Sequence, residues 1–401
     1  MLFRSHLVEF DELGSDGTSV GWNYVQAAMP GQTYGYRWFV DTALRTVFFH
    51  DHQYAASHQQ KGLFAAMNVE PADATWHDPV TGTPTNGVGT VADIRSTAGP
   101  DFREITVFQQ DRSPMWTSST ITRGTAVNPP TVPDDHGQDQ GGYAINYRNE
   151  PFQTRTVAGA AGPLGDPAYV YSSVVHGDPS TPVFRAYSGD PVIIRSVVGA
   201  HEEVHTFGLH GHRWLSEPDN PLSTVSDNQG MALAEWFNFE ISGGKVVRRS
   251  RTAEETRKQL GNGGDNGTPK ILSGGAGAPG DYRYGSTALD DQWLGSWGIF
   301  RVPAGKVGDL QPLPDRTAPA TGSSPWPALA PGQSYAGVKV SAPTRQTGCP
   351  AGAPLRTYAV EAVTRDIVYD PRTGDHDPYG LQYVLAGSTD RNPGPLFLRA
   401  N

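Results

Sequence analysis

Short strand-forming runs, each closed by glycine, proline or aspartate, recur along this chain and leave little room for helices. "LFRSHLVEF" and "GQTYGYRWFVD" alternate apolar and polar residues, "TVFFHDH" reads as a buried run, and "GLFAAMNVEP" closes on Pro71. Further on come "REITVFQQD", "DPVIIRSVVGA", "AEWFNFEI" and "GSWGIFRV", each bounded in the same way. A composition of 47 Gly and 33 Pro with only 18% charged residues fits short strands joined by many turns. The expected class is all-β.

A length of 401 residues predicts two or three domains. The strand pattern places the units at 1–100 and 101–305, a Pro/Gly/Ala/Ser-rich linker at 306–354, and a last strand set at 355–401. A sandwich needs about seven strands. The last segment supplies too few, and the first begins directly in a strand, so both ends would leave open edges. That predicts a chain cut from a longer polypeptide, or ends that pair with each other or with a second copy. The net charge of -10 argues against nucleic acid as a partner. No apolar window reaches the length of a membrane helix, and no signal peptide is visible at the N-terminus. Cys349 is the single cysteine, which excludes an internal disulfide and leaves the compartment open.

Most of the 12 histidines are clustered. His50 and His52 are two apart, His205, His210 and His212 follow closely on one another, and His6 sits in the first strand. Residues i and i+2 of a strand share a face, so "HDH" sets two imidazoles side by side and turns Asp51 to the other face. Neutral imidazole suits copper, zinc, iron and nickel. A lone strand histidine is more often an ordinary hydrogen-bonded residue, but two same-face pairs beside apolar strands argue for a metal. A two-zinc hydrolase would want Asp-His soon after the pair, and "HDHQYAASH" lacks it. His77, His136, His176 and His376 lie in turn-rich polar contexts and read as surface residues. Met67 and Met231 read as core packing, as do Trp214, Trp293 and Trp297. Asp51 is a candidate hydrogen-bond support for a neighbouring imidazole, and Glu70 carries no signal.

"VFFHDHQYAASHQQKGLFAAMNVEP" resembles the second copper-ligand motif of multicopper oxidases, and "YSGDPVIIRSVVGAHEEVHTFGLHGHRW" resembles the third. "GSWGIFRV" is similar to the strand that closes such a domain, and "SHLVEFDELGSDGTSVGWNY" resembles large bacterial members with several cupredoxin domains. The resemblance covers most of residues 1–305 and implies tandem cupredoxin-like Greek-key β-sandwiches. It also implies copper as cofactor. By family role His6, His50, His52 and His210 would take type 3-like positions and His205 the type 1 position, with Asp51 and His212 in support. Arg4 and Gly208 stand where the type 2 ligands belong, and neither side chain can ligate a cation. The fourth motif, H-C-H-x3-H, is missing: "GDYRYGSTALDDQWL" stands there without cysteine or histidine.

Three readings follow. The chain is part of a multicopper oxidase acting on a small reducing substrate or metal ion with O2 as acceptor. Its cluster would then be completed by further cupredoxin domains of the same polypeptide or by another subunit. Alternatively it is a non-catalytic cupredoxin scaffold, or the histidines hold zinc or another divalent ion as a structural site. Family resemblance implies an extracellular or cell-surface location.

Overall fold

A computed structural model describes residues 3–30, 32–41, 44–52, 59, 62–97, 99–113, 142–200, 203–218, 223–242, 246–247, 271–272, 279–314, 316–320, 359–370 and 375–388. Cys349, His58, His136 and most of the expected linker lie outside these residues. The chain divides into two compact units, Met1–Ser341 and Ala342–Asn401. As the punctuation predicts, strands dominate. The longest described helix is Leu289–Trp293, and none is long and apolar enough to cross a membrane.

Within the first unit β1 (Phe3–Ser5) is followed by a ribbon of β2 (Glu9–Phe10) and β3 (Trp38–Phe39). Then come β4 (Arg45–Asp51) and β5 (Phe64–Val69), and a three-stranded sheet runs in the order β1-β4-β5. The next strands are β6 (Thr75–His77), β7 (Val91–Arg95), β8 (Phe102–Ser113) and β9 (Gly142–Ile145). Hydrogen bonding is therefore continuous across residue 100, since β7 pairs with β8. After them come β10 (Val183–Arg185), β11 (Pro191–Ala200), β12 (His205–Leu209), β13 (Trp214–Leu215), β14 (Val225–Ser226) and β15 (Asn228–Met231). The unit's remaining strands are β16 (Trp236–Ser242), β17 (Val246–Val247), β18 (Ile271–Leu272), β19 (Gly280–Gly285) and β20 (Trp297–Val302). In the second unit β21 (Val360–Asp370) and β22 (Asp375–Leu385) form an antiparallel hairpin.

Two large sheets make a sandwich. One runs β16-β11-β8-β7-β6 with β9 on β8, the other β10-β20-β19-β12-β15. Alternation decides what lies between them. Ile105 and Val107 on β8, Val192 and Ile194 on β11, and Phe239 and Ile241 on β16 meet Phe207 and Leu209 on β12 and Phe300 and Val302 on β20. Each pair is two apart, so each strand sends one face inward. At about 1.5–3 kcal/mol per large buried apolar side chain, this shared core is the main stabilising element. Met231 and Trp214 belong to it, as expected, and Trp297 belongs to a neighbouring core cluster.

The outer face of the six-stranded sheet carries the small β1-β4-β5 sheet. Phe48 and Phe64 pack there on Val197 and Ala200. A Cβ on Gly199 would come 2.6 Å from the Phe64 ring, so only glycine lets the ring seat. Around this contact the residues alternating with the core face are polar. Arg195 Nε donates to Glu104 Oε2 at 2.6 Å, its guanidinium also pairs with Glu70, and Asn68 Nδ2 donates to Glu104 Oε1 at 2.8 Å. Burial raises the Glu70 carboxyl to about 8, Glu104 adds to the rise, and Arg195 opposes it. Thus a glutamate without any signal in the sequence belongs to a buried network of two acids sharing one arginine. His77, read as a surface residue, is buried instead, with its ring nitrogens against Thr75 Oγ1 and the Gly82 carbonyl.

Candidate metal centre

The pairing of β1 with β4 brings the first two histidine motifs together. Arg4 lies opposite His50 and Ser5 opposite Phe49, and the chain leaves β1 with the His6 amide donating to the Phe48 carbonyl at 2.9 Å. His6 Nε2 then stands 3.0 Å from His50 Nε2, with the rings stacked at 5.2 Å. His52, just past the strand end and exposed, sets its ring 5.7 Å from that of His50. Phe48 and Trp236 wall the group, at 5.9 and 5.6 Å from the His6 ring.

His50 Nδ1 lies 2.9 Å from the Asp51 backbone carbonyl. A carbonyl only accepts, so Nδ1 carries the proton, and in the uncharged form Nε2 offers its lone pair toward His6. The support expected of Asp51 therefore comes from its main chain; its carboxylate is buried, at 1% exposure. A metal bound by two imidazoles at 2.0–2.1 Å would hold the nitrogens about 2.8–3.4 Å apart for angles between square and tetrahedral. The spacing of His6 and His50 falls in that range, and the donor chemistry suits copper or zinc. Still, among the described residues no group of three or more His, Cys, Asp or Glu is arranged to hold a metal ion. The three imidazoles are adjacent without converging on one point.

His205 departs from the type 1 expectation. It shares the inward face of β12 with Phe207 and Leu209, so its imidazole enters the sandwich and must find partners there. It finds two: Nδ1 is 2.9 Å from Asp291 Oδ2, and Nε2 is 3.0 Å from Asp111 Oδ2. Burial opposes the charge, but hydrogen bonds to Asp111 and Asp291 and their charges prevail and raise the imidazole to about 10. Both nitrogens of this imidazolium are engaged by carboxylates, which leaves neither lone pair for copper.

His210 departs as well. It lies at the end of β12 in the five-stranded sheet, not on the sheet of His50, and its Nε2 accepts from Arg283 Nη2. Burial and then the guanidinium lower its pKa, so it stays neutral beside a fixed positive charge, a poor place for a cation. His212 is buried at 1% exposure, with Nδ1 2.8 Å from the His210 carbonyl and its ring edge-on to Tyr282 and Phe300. Gly208 has no room for a ligand side chain, since a Cβ there would meet Thr287 Cγ2 at 2.6 Å.

Sequence reasoning missed the partners of these histidines. Asp111 closes "REITVFQQD", while Arg283 and Asp291 both sit in "GDYRYGSTALDDQWL", the segment noted only for what it lacks. The inward register of His205 with Phe207 and Leu209 was the available signal: a histidine on a core face demands buried hydrogen-bond partners.

No family model and no curated protein matches this sequence. Among solved structures the chain is similar to a multicopper oxidase at 15% identity and a TM-score of 0.38, over 75% of this chain and 70% of that one. It is similar to a blue copper oxidase from Nitrosomonas europaea at 14% identity and a TM-score of 0.38, again over 75% and 70%. It is also similar to a copper nitrite reductase from Nitrosomonas europaea at 12% identity and a TM-score of 0.40, over 79% of this chain and 77% of that one.

Proposed function

We propose that the chain is a cupredoxin-type module that binds copper through His6 and His50, with His52 beside them. The observation that carries this reading is the 3.0 Å approach of two Nε2 atoms, with His50 held in the right tautomer by the Asp51 carbonyl. Copper has the strongest claim because it tops the affinity order at imidazole sites. Bound there, it would supply one-electron redox chemistry. The fuller activity, oxidation of a small reducing substrate or metal ion coupled to O2 reduction, needs more ligands than this group offers. They would come from further cupredoxin domains of the same polypeptide or from another subunit, at a cell-surface or extracellular location. His205 and His210 have no part in this reading.

Cu(II) titration of the full chain, followed by calorimetry and electron paramagnetic resonance with zinc as competitor, tests it. Copper should bind in preference to zinc, and His6→Ala and His50→Ala should each abolish nitrogen-ligated copper while His205→Gln preserves it. Unchanged uptake in the first two variants would sink the proposal. The lack of a converging third donor among the described residues favours a second reading, a scaffold in which His6 and His50 form an N–H···N bond tying β1 to β4. In that case His6→Ala lowers stability and the wild type shows no copper affinity.

A further inference from the structure

The ring of His205 is 3% exposed, yet from its Nδ1 side a line of hydroxyls leads out of the sandwich. Asp291 Oδ2, 2.9 Å from Nδ1, also accepts from Ser286 Oγ. Ser286 Oγ lies 3.3 Å from Thr206 Oγ1, which lies 2.6 Å from Thr287 Oγ1. Ser286 is buried, and Thr206 and Thr287 are half-buried. Asn228, whose Nδ2 donates to Thr287 Oγ1 at 2.9 Å, is exposed. We infer that Ser286, Thr206 and Thr287 form a proton relay, through which the His205 ring exchanges its proton with solvent while the sandwich stays closed.

The direction of each bond follows from counting, since a hydroxyl donates once and accepts twice. Ser286 spends its proton on the Asp291 carboxylate, so toward Thr206 it only accepts. Thr206 therefore donates to Ser286, and it accepts from Thr287. Backbone fills the remaining acceptor positions: the Ala288 amide donates to Ser286 Oγ at 3.2 Å, and the Thr287 amide to Thr206 Oγ1 at 2.9 Å. All three hydroxyls thus point inward, toward the carboxylate that holds the ring. A chain of hydrogen bonds aligned this way polarises along its length.

Sheet register builds the chain. β12 pairs with β19 through Gly208 opposite Gly285, which brings Ser286 and Thr287, just past the end of β19, alongside Thr206. Inward alignment lets a proton pass in a single shift. A solvent proton added to Thr287 Oγ1 sends the Thr287 proton to Thr206, that of Thr206 to Ser286, and that of Ser286 to Asp291 Oδ2, from which a neutral Nδ1 takes it. One O–H bond forms and one breaks at each hydroxyl, rotation about the C–O bonds resets the chain, and release runs in reverse. The other groups facing the ring are Asp111 on β8, at Nε2, and Tyr143 on β9, edge-on at 5.5 Å with its hydroxyl donating to Glu203 at 2.8 Å. The relay uses none of the histidines proposed for copper, so the two readings stand or fall separately.

Exchange of the His205 Nδ1 proton with water, read by nuclear magnetic resonance on the isotopically labelled full chain, tests the inference, with His205→Gln identifying the signal. In the wild type this proton should exchange faster than the backbone amides of β12, which exchange only when the sandwich opens. Thr206→Val should slow it at least about tenfold and leave those amides unchanged, while Thr206→Ser, which keeps the hydroxyl, should leave it fast. A wild-type ring proton no faster than the amides overturns the proposal whether or not a variant folds. Undiminished ring exchange in a folded Thr206→Val protein overturns it as well.

Discussion

Replacing His205 with glutamine removes a buried positive charge from between two carboxylates at the point where the two large sheets meet. In the wild type the ring is 3% exposed and bridges Asp111 on β8 and Asp291 before β20 at 3.0 and 2.9 Å. Glutamine keeps much of the bulk and no charge, so two buried carboxylates would face each other uncompensated. Losing one partner of such a group costs about 3–5 kcal/mol. The pH dependence follows from the sign of the shift. The folded imidazole titrates near 10 against an ordinary value of 6.5, so its stabilisation is fully present below the ordinary value and fades as pH rises through 10. That interval corresponds to something on the order of 5 kcal/mol, in line with the cost of breaking the group. Urea denaturation of both proteins at constant ionic strength between about pH 6 and pH 10 measures it, and the difference between them cancels the tyrosines, lysines and Cys349. The gap should be largest near pH 6 and close steadily toward pH 10. A gap that stays constant over that range would mean a neutral ring in the folded protein, and the ion-triad argument would be refuted.

Gly208→Ala should destabilise by about 1–3 kcal/mol, because Thr287 is short, β-branched and cannot swing away; a thermal melt checks this. Gly208→His, with a larger side chain at the same place, should give a poorly folded chain, as circular dichroism will show. Glu70→Gln addresses the shared-acid network: a carboxyl raised to about 8 loses its stabilising neutral form as pH climbs from its ordinary 4.5 through 8. The wild type should therefore lose stability over that interval relative to the variant, and a pH series of denaturant melts in which the two run parallel would contradict it. Phe207→Ala, in the middle of the shared core, should cost about 3–5 kcal/mol by the same melts.

The sandwich was legible because its signal is local. "DPVIIRSVVGA", "HTFGL" and "GSWGIFRV" carry the pleat period in their own residues, and the structure turns the alternate ones into a common core. The adjacency of His6 to His50 was legible only through the family resemblance, since forty-four positions separate them and nothing local announces the pairing of β1 with β4. The polar layer on the outer face was invisible for a related reason. Arg195, Glu104 and Glu70 carry no local mark of burial one at a time, and become a buried network once β5 is laid across β8 and β11.

The third histidine motif shows most clearly where such reading stops. A motif specifies which backbone positions look in one direction; what they look at is supplied from elsewhere in the chain. In this protein the supplier is the segment from Gly280 to Leu294. It offers Asp291 to His205 and Arg283 to His210. Each histidine thus meets hydrogen-bond partners of the opposite demand, one ring charged between acids and the other neutral against a cation. Without Asp111 and Asp291, His205 would be buried and unsatisfied. The contrast is with His6 and His50 beside the small β1-β4-β5 sheet, whose rings face each other's nitrogens and not a carboxylate or a guanidinium.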